Sequence, residues 1–143
     1  MIELRYINPG NLHDYWEMIY GDLQHCVNQD SDDLIMEDVY YMLKAGFASL
    51  HVAFVDLTYQ GFCVLQKIND PFSGAPRLHV WFTSCKAGHQ IVVMFENNLN
   101  EMAKNINARF ITFKSNRDAF GRLLNDIGYK PMDTTYFKEV NYG

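Results

Sequence analysis

The chain has 143 residues, 48% of them apolar and 15% aromatic, which suits one domain with a dense core and excludes a disordered chain. Twelve basic against 17 acidic side chains leave a net charge of −5, so no global field draws it to nucleic acid or an anionic membrane surface. No apolar run nears the roughly 20 residues that span a bilayer, and the three scattered cysteines (Cys26, Cys63, Cys85) fit reduced thiols in a cytosol.

The opening MIELRYINPG reads as a strand rather than a signal peptide, because IELRYI (2–7) alternates before NPGN breaks the pattern. Asn11 is predicted to cap a helix whose apolar face is Leu12, Trp16, Ile19, Leu23 and Val27. After the polar break NQDSDD, a second helix carries Ile35, Val39 and Leu43 (or Met42), with Gly46 as its stop. Strands are predicted at 49–57 and 61–68, joined as a hairpin by TYQ, and at 77–84 after the loop NDPFSGAP. The stretch FTSCKAGHQIVVMFENNLNEMAKN (82–105) then runs from strand through a one-glycine turn into a helix. Val92, Phe95, Leu99, Met102 and Ile106 line one side of that helix. ARFITFK (108–114) is a further strand, DAFGRLLNDIG (118–128) a short helix stopped by Gly128, and YKPMDTTYFKEV (129–140) a closing strand.

The order β-α-α-β-β-β-α-β-α-β, with no repeat or linker, predicts a single α/β domain over 1–143 built on one mixed sheet. A right-handed crossover places the long helix against the sheet between parallel strands 77–84 and 108–114. A helix N-terminus of this kind offers unpaired N–H groups and a positive dipole end to an anion. Lys86, His89 and Gln90 can add side-chain donors. A lone glycine junction equally suits a turn that only caps a packing helix.

Elsewhere the signals are sparse. His13, His25, His51 and His89 lack the spacing of a metal site, and adjacent His25 and Cys26 diverge on a helix. Asp56, at a strand end, suits a substrate amine or plain solvation. Tyr15, Trp16, Tyr20, Tyr40 and Tyr41 cluster on the first two helices, where core packing explains most aromatics.

The element order resembles the GNAT family of acetyl-CoA-dependent N-acetyltransferases over almost the whole chain. Leu78 to Ile106 and ITFKSNRDAFGRLLNDIGYKP carry the more specific likeness, including the Asn-containing turn and the ending Gly128-Tyr129. The resemblance implies that acetyl-CoA enters between strands 77–84 and 108–114, with its pyrophosphate on the helix start. The cofactor contacts then fall on Phe82, Thr83, Ser84, Lys86, Gly88, His89, Gln90 and Ile91, with Asn116 in the turn. It also implies that the aromatics of the first helices form an acceptor wall.

The family's phosphate loop reads Gln or Arg, two residues, Gly, one residue, then Gly or Ala. Counting from Gly88 puts Cys85 and Gln90 at the other positions; counting from the helix face puts Gln90 and Val92 at the glycine sites. Either register leaves at most one glycine where phosphates need close backbone approach. The family's thiolate-protonating tyrosine falls on Leu123 or Leu124. For the base the resemblance points to the central strand, where alternation sets His79 and Trp81 opposite Leu78, Val80 and Phe82. An imidazole pKa near 6.5 suits that task, and a half-exposed sheet residue is the bland alternative for His79. Two functions follow: an acetyltransferase acting on a small-molecule or protein amine, or a catalytically silent protein of the same fold. The silent form resembles GNAT-like bacteriophage proteins with accessory or virion-morphogenesis roles and protein partners.

Overall fold

A computed structural model describes residues 2–30, 33–86, 89–113, 125–131, 136 and 138–143. The described residues form a sheet of five strands in sequence order: β1 (Ile2–Ile7), β2 (Ser49–Val55), β3 (Thr58–Asn69), β4 (Pro76–Cys85) and β5 (Phe110–Phe113). The first four pair antiparallel and β5 pairs parallel to β4, so the sheet is mixed as expected. Helices α1 (Leu12–Asp30) and α2 (Met36–Lys44) cover one face, and α3 (His89–Asn105), which links β4 to β5, covers the other.

The helical stripes place themselves largely as periodicity dictates. Leu12, Ile19, Leu23 and Val27 of α1 are buried, as are Phe95 and Leu99 of α3. In α2 the buried residues are Met36, Val39 and Leu43, while Ile35 precedes the helix and is 53% exposed. Asn11 is not the cap: Asn8 accepts from the Gly10 N–H at 3.0 Å and starts a 3₁₀ turn, Pro9–Asn11, ahead of α1. That short turn uses the proline at its first position, where no N–H is needed.

The β2–β3 turn lies on Asp56 and Leu57, both with positive φ (49° and 68°), and Val55 pairs with Thr58. Thr58, Tyr59 and Gln60 therefore belong to β3 and are not the hairpin turn. A two-residue turn of this hand matches the twist of the strands. Gly46 closes α2 at φ 83°. Of the expected helix 118–128, Asn125 and Asp126 are helical and the Gly128 N–H returns to the Asn125 carbonyl; 118–124 lie outside the described residues. Of the expected final strand, the described residues 129–131, 136 and 138–140 are not in strand. Among the described residues no helix is long and apolar enough to cross a membrane.

Two bulges shape the sheet. Between β3 and β4, Val64 pairs with Phe82 but Leu65 pairs with Val80, which leaves Trp81 as an extra residue. Between β2 and β3, Ala53 pairs with Gly61 and Phe54 with Tyr59, which leaves Gln60 extra. Each extra residue reverses the alternation of its strand. Leu78 and Val80 consequently pack under α3, whereas Phe82 packs under α1 and α2. The simple alternation that grouped Leu78, Val80 and Phe82 on one face is thereby corrected.

Candidate active site

The parallel pair β4–β5 runs from Arg77–Phe110 through Val80–Phe113. Within it, His79 sits directly opposite Thr112, and His79 Nδ1 lies 2.8 Å from Thr112 Oγ1. With Leu78 and Val80 turned toward α3, His79 faces the side of the sheet that carries α1 and α2, where it is half-buried. The Thr112 contact bears on its chemistry. If Nδ1–H donates to the hydroxyl, Nε2 holds the lone pair and can accept a proton; the reverse tautomer makes Nε2 a donor.

Beyond the Trp81 bulge, β4 continues to Cys85. Phe82 is buried in the core, so it is a packing residue on the α1 and α2 side. The Thr83 hydroxyl donates to the Phe62 carbonyl at 3.2 Å, and the Thr83 carbonyl accepts from the Cys26 thiol at 3.6 Å. Ser84 is half-buried beside Gly61, where a Cβ would meet the Ser84 carbonyl oxygen at 2.2 Å. That approach of two strands is open only to a residue without a side chain.

At the end of β4 lies a cluster that sequence reasoning missed. The Gln60 bulge turns Tyr59 toward α1, where its hydroxyl donates to Asp22 Oδ2 at 2.7 Å. Lys86 Nζ stands 3.9 Å from the same oxygen and 5.0 Å from the centre of the Tyr59 ring. The Lys86 N–H donates to the Gln60 carbonyl at 2.7 Å. This main-chain donor is therefore committed to the sheet, and an anion beyond β4 would meet the Lys86 side chain instead. Burial pushes the Tyr59 phenol up, and its bond to Asp22 pushes further in the same direction, so it stays protonated at neutral pH. No sequence motif links Asp22, Tyr59 and Lys86; a two-residue turn at Asp56-Leu57 and one bulge bring them together.

Helix α3 starts at His89, so His89, Gln90 and Ile91 supply its first-turn N–H groups, the end that attracts anions. Gly88 and Asn116 lie outside the described residues. Farther along α3, Glu96 Oε2 accepts from the Tyr129 hydroxyl at 2.9 Å, and the Tyr129 ring meets Phe113 edge-on. Burial, then the Glu96 bond, raises the Tyr129 phenol above its ordinary range. Its position after Gly128 was the legible signal, since the Gly-aromatic pair stood out in the sequence. Six residues of β4 lie between His79 and Lys86, which sets the two roughly 20 Å apart along the strand. No group of three His, Cys, Asp or Glu among the described residues is arranged to hold a metal ion.

This architecture is the α/β fold of GNAT acetyltransferases. A ribosomal-protein-alanine N-acetyltransferase from Brucella melitensis biovar Abortus 2308 superposes with a TM-score of 0.74 at 16% identity, covering 97% of this chain and 99% of that one. An aminoglycoside N-acetyltransferase in complex with the bisubstrate analogue CoA-S-monomethyl-acetylneamine superposes at 0.72 with 14% identity, over 99% of both chains. A predicted acetyltransferase from Clostridium acetobutylicum with acetyl-CoA gives 0.68 at 13% identity, over 99% of this chain and 96% of that one. No protein-family model matches the sequence, and no curated protein matches it.

Proposed function

We propose that the chain binds acetyl-CoA along the β4–α3–β5 unit and transfers the acetyl group to an amine. The observation that carries this reading is the parallel pairing of β4 and β5 about α3, followed on β4 by the Trp81 bulge in the β3 ladder. The bulge leaves a residue unmatched in the β3 ladder beside the site, and main-chain donors so released suit an acyl oxygen that gains charge. In the reaction the amine nitrogen bonds to the thioester carbon, the carbon–sulfur bond breaks, and the amine gives up a proton. His79, whose Nδ1 lies 2.8 Å from Thr112 Oγ1, is our base for that proton, through Nε2 in the tautomer whose Nδ1–H donates to the hydroxyl. The thiolate leaves unassisted or takes its proton from water. Thr83, Ser84, Lys86, Gly88, His89, Gln90, Ile91 and Asn116 make up the cofactor side, with Lys86 and the start of α3 toward the pyrophosphate, while the buried Phe82 ring supports β4 from the core and leaves only its main chain for the ligand. The acceptor is a small-molecule or protein amine, and a cytoplasmic setting fits the reduced cysteines.

Acetyl-CoA should raise the melting temperature of the purified protein, because a ligand at 100 times its Kd adds about 2.7 kcal/mol to the folded state. Gly88→Asp should remove that shift by setting a carboxylate against phosphate. An unshifted parent sinks the cofactor reading. If the parent is active, His79→Ala should lower turnover roughly 10²–10⁴-fold with cofactor affinity little changed. Normal turnover in that variant would assign the base elsewhere.

A second reading has its own support: KAGHQ offers a single glycine, Leu123 and Leu124 stand at the position of the acid, and the Lys86 N–H is bonded within the sheet. In that reading the fold is catalytically silent and serves a phage as an accessory, virion or assembly component bound to other proteins. The melting experiment separates the two.

A further inference from the structure

The sheet order begins at β1, and among the described residues no strand pairs with the outer edge of that strand. β1 pairs with β2 along all six of its residues without a bulge, and IELRYI holds no proline, glycine or lysine. It thus lacks the usual devices that blunt an open edge. Its charges are Glu3 and Arg5, on the side of the sheet that carries α1. There Arg5 donates to both Glu3 carboxylate oxygens, at 3.0 and 3.1 Å, and to the Tyr15 hydroxyl at 3.0 Å. The main chain of the edge has a definite sense. The two-residue turn closes on Val55 and Thr58, so Val55 and, by alternation, Ala53 direct their N–H and carbonyl groups toward β3. Phe54, Val52 and Leu50 therefore bond to β1, at Glu3, Arg5 and Ile7. Ile2, Leu4 and Tyr6 are left with N–H and carbonyl groups that face outward.

We propose that β1 pairs antiparallel with β1 of a second copy about a two-fold axis at Leu4, joining two sheets into one. Outward-facing residues bond only to outward-facing residues, so the axis passes through a residue rather than between two. An axis at Glu3 sets carboxylate against carboxylate, and one at Arg5 sets guanidinium against guanidinium. An axis at Ile2 or Tyr6 shortens the ladder. At Leu4 the pairs are Ile2 with the partner's Tyr6, Leu4 with the partner's Leu4, and Glu3 with the partner's Arg5. The first two exchange main-chain bonds; the third is the closer, non-bonded kind, in which opposite charges stabilise. Charges then alternate in sign around the axis, each with an opposite neighbour along its own strand and across the interface. Tyr6, 55% exposed, covers the partner's Ile2 on the α3 side. The pairing is closed, since each copy engages its β1 edge with the other's. It uses no residue of the β4–α3–β5 unit and does not rest on acetyl transfer.

The test is sedimentation velocity of the full chain over a concentration series, without acetyl-CoA, with main-chain amide exchange followed by NMR. The parent should sediment as monomer and dimer in equilibrium, and exchange at Leu4 and Tyr6 should slow several-fold as the dimer fills. Glu3→Arg and Arg5→Glu should each weaken the dimer at least about tenfold, because like charges then face each other across the axis. The chain carrying both substitutions should dimerise again, since opposite charges are restored. Glu3 is exposed, so Glu3→Arg decides the matter if Arg5→Glu, which also disturbs the Tyr15 contact, does not fold. A parent that stays monomeric at every concentration overturns the proposal. So does a dimer indifferent to Glu3→Arg, a folded double variant that remains monomeric, or a dimer in which Leu4 and Tyr6 exchange as in the monomer. None of these outcomes depends on cofactor binding, which the acetyl-CoA melting experiment reads separately.

Discussion

The two faces of the sheet are built from different stock. Under α1 and α2 the sheet presents Leu50, Val52, Phe54, Phe62, Val64 and Phe82, a wholly apolar layer with three phenylalanines. Under α3 it presents Ala53, Cys63, Leu65, Leu78 and Val80, smaller on average, and the buried His51 beside Ser49. β4 feeds both layers because Trp81 shifts its alternation halfway along. A strand with one extra residue thus anchors two cores and leaves His79 and Thr112 facing the α1 and α2 side across the β4–β5 pair. A regular strand would have committed Phe82 to the α3 side with Leu78 and Val80.

Three experiments probe this difference. The largest effect should come from Phe82→Ala, which removes a ring 4% exposed in the larger layer. A loss of about 3–5 kcal/mol is expected in urea unfolding, against the smaller loss expected of Val80→Ala on the other face. Equal losses at the two positions would mean that the bulge does not divide the cores.

The next effect is a dependence on pH. Burial pushes the His51 imidazole down to about 4 from 6.5, so the folded state keeps it neutral while the unfolded chain takes up a proton below pH 6.5. Stability is then full above about pH 6.5, falls as pH drops toward 4, and levels off below. The total change is about 3 kcal/mol at roughly 1.4 kcal/mol per pH unit. Parallel unfolding series on the parent and His51→Phe should show that slope in the parent and its loss in the variant. A slope that persists in the variant places its origin in other groups.

The smallest expected effect, about 1–3 kcal/mol, belongs to Gly61→Ala, where the added methyl meets the main chain of Ser84 and Cys85. Because those atoms are backbone, β3 and β4 must part, and the Lys86–Gln60 bond should loosen with them. Faster amide exchange at Lys86 in the variant would register this; unchanged exchange would show that the strands relax elsewhere.

The local periodicities were legible in advance. Three-and-four spacing located α1, α2 and α3, alternation located the strands, and the β-α-β pattern gave the parallel pair about α3. Those signals come from short-range geometry: a helix repeats every 3.6 residues and a strand every two, and burial of one face writes the repeat into the residues. The pair Gly128-Tyr129 belongs to the same class. The closing strand expected at 129–140 is absent from its described residues, and two further readings failed for local reasons. The hairpin turn fell on Asp56-Leu57, which carry no turn signature, and Asn8 took the capping role because Pro9 could begin a 3₁₀ turn.

The sequence by itself therefore determined α1 to α3, β1 to β5 and their order, and most of the residues that fill the cores. Only the tertiary structure decided where alternation would break, because nothing in Trp81 or Gln60 marks a bulge; the break is set by how two strands and three helices must pack together. From those breaks follow the division of β4 between two cores, the pairing of His79 with Thr112, and the meeting of Asp22, Tyr59 and Lys86. The cavity between α1 and α2, lined by Trp16, Tyr20 and Tyr40 among others, was foreshadowed only through the resemblance, which implied an aromatic wall on the first helices. The same aromatics at the same spacing would fill a closed core, had the angle between the helices brought their rings into contact over the whole of their surface.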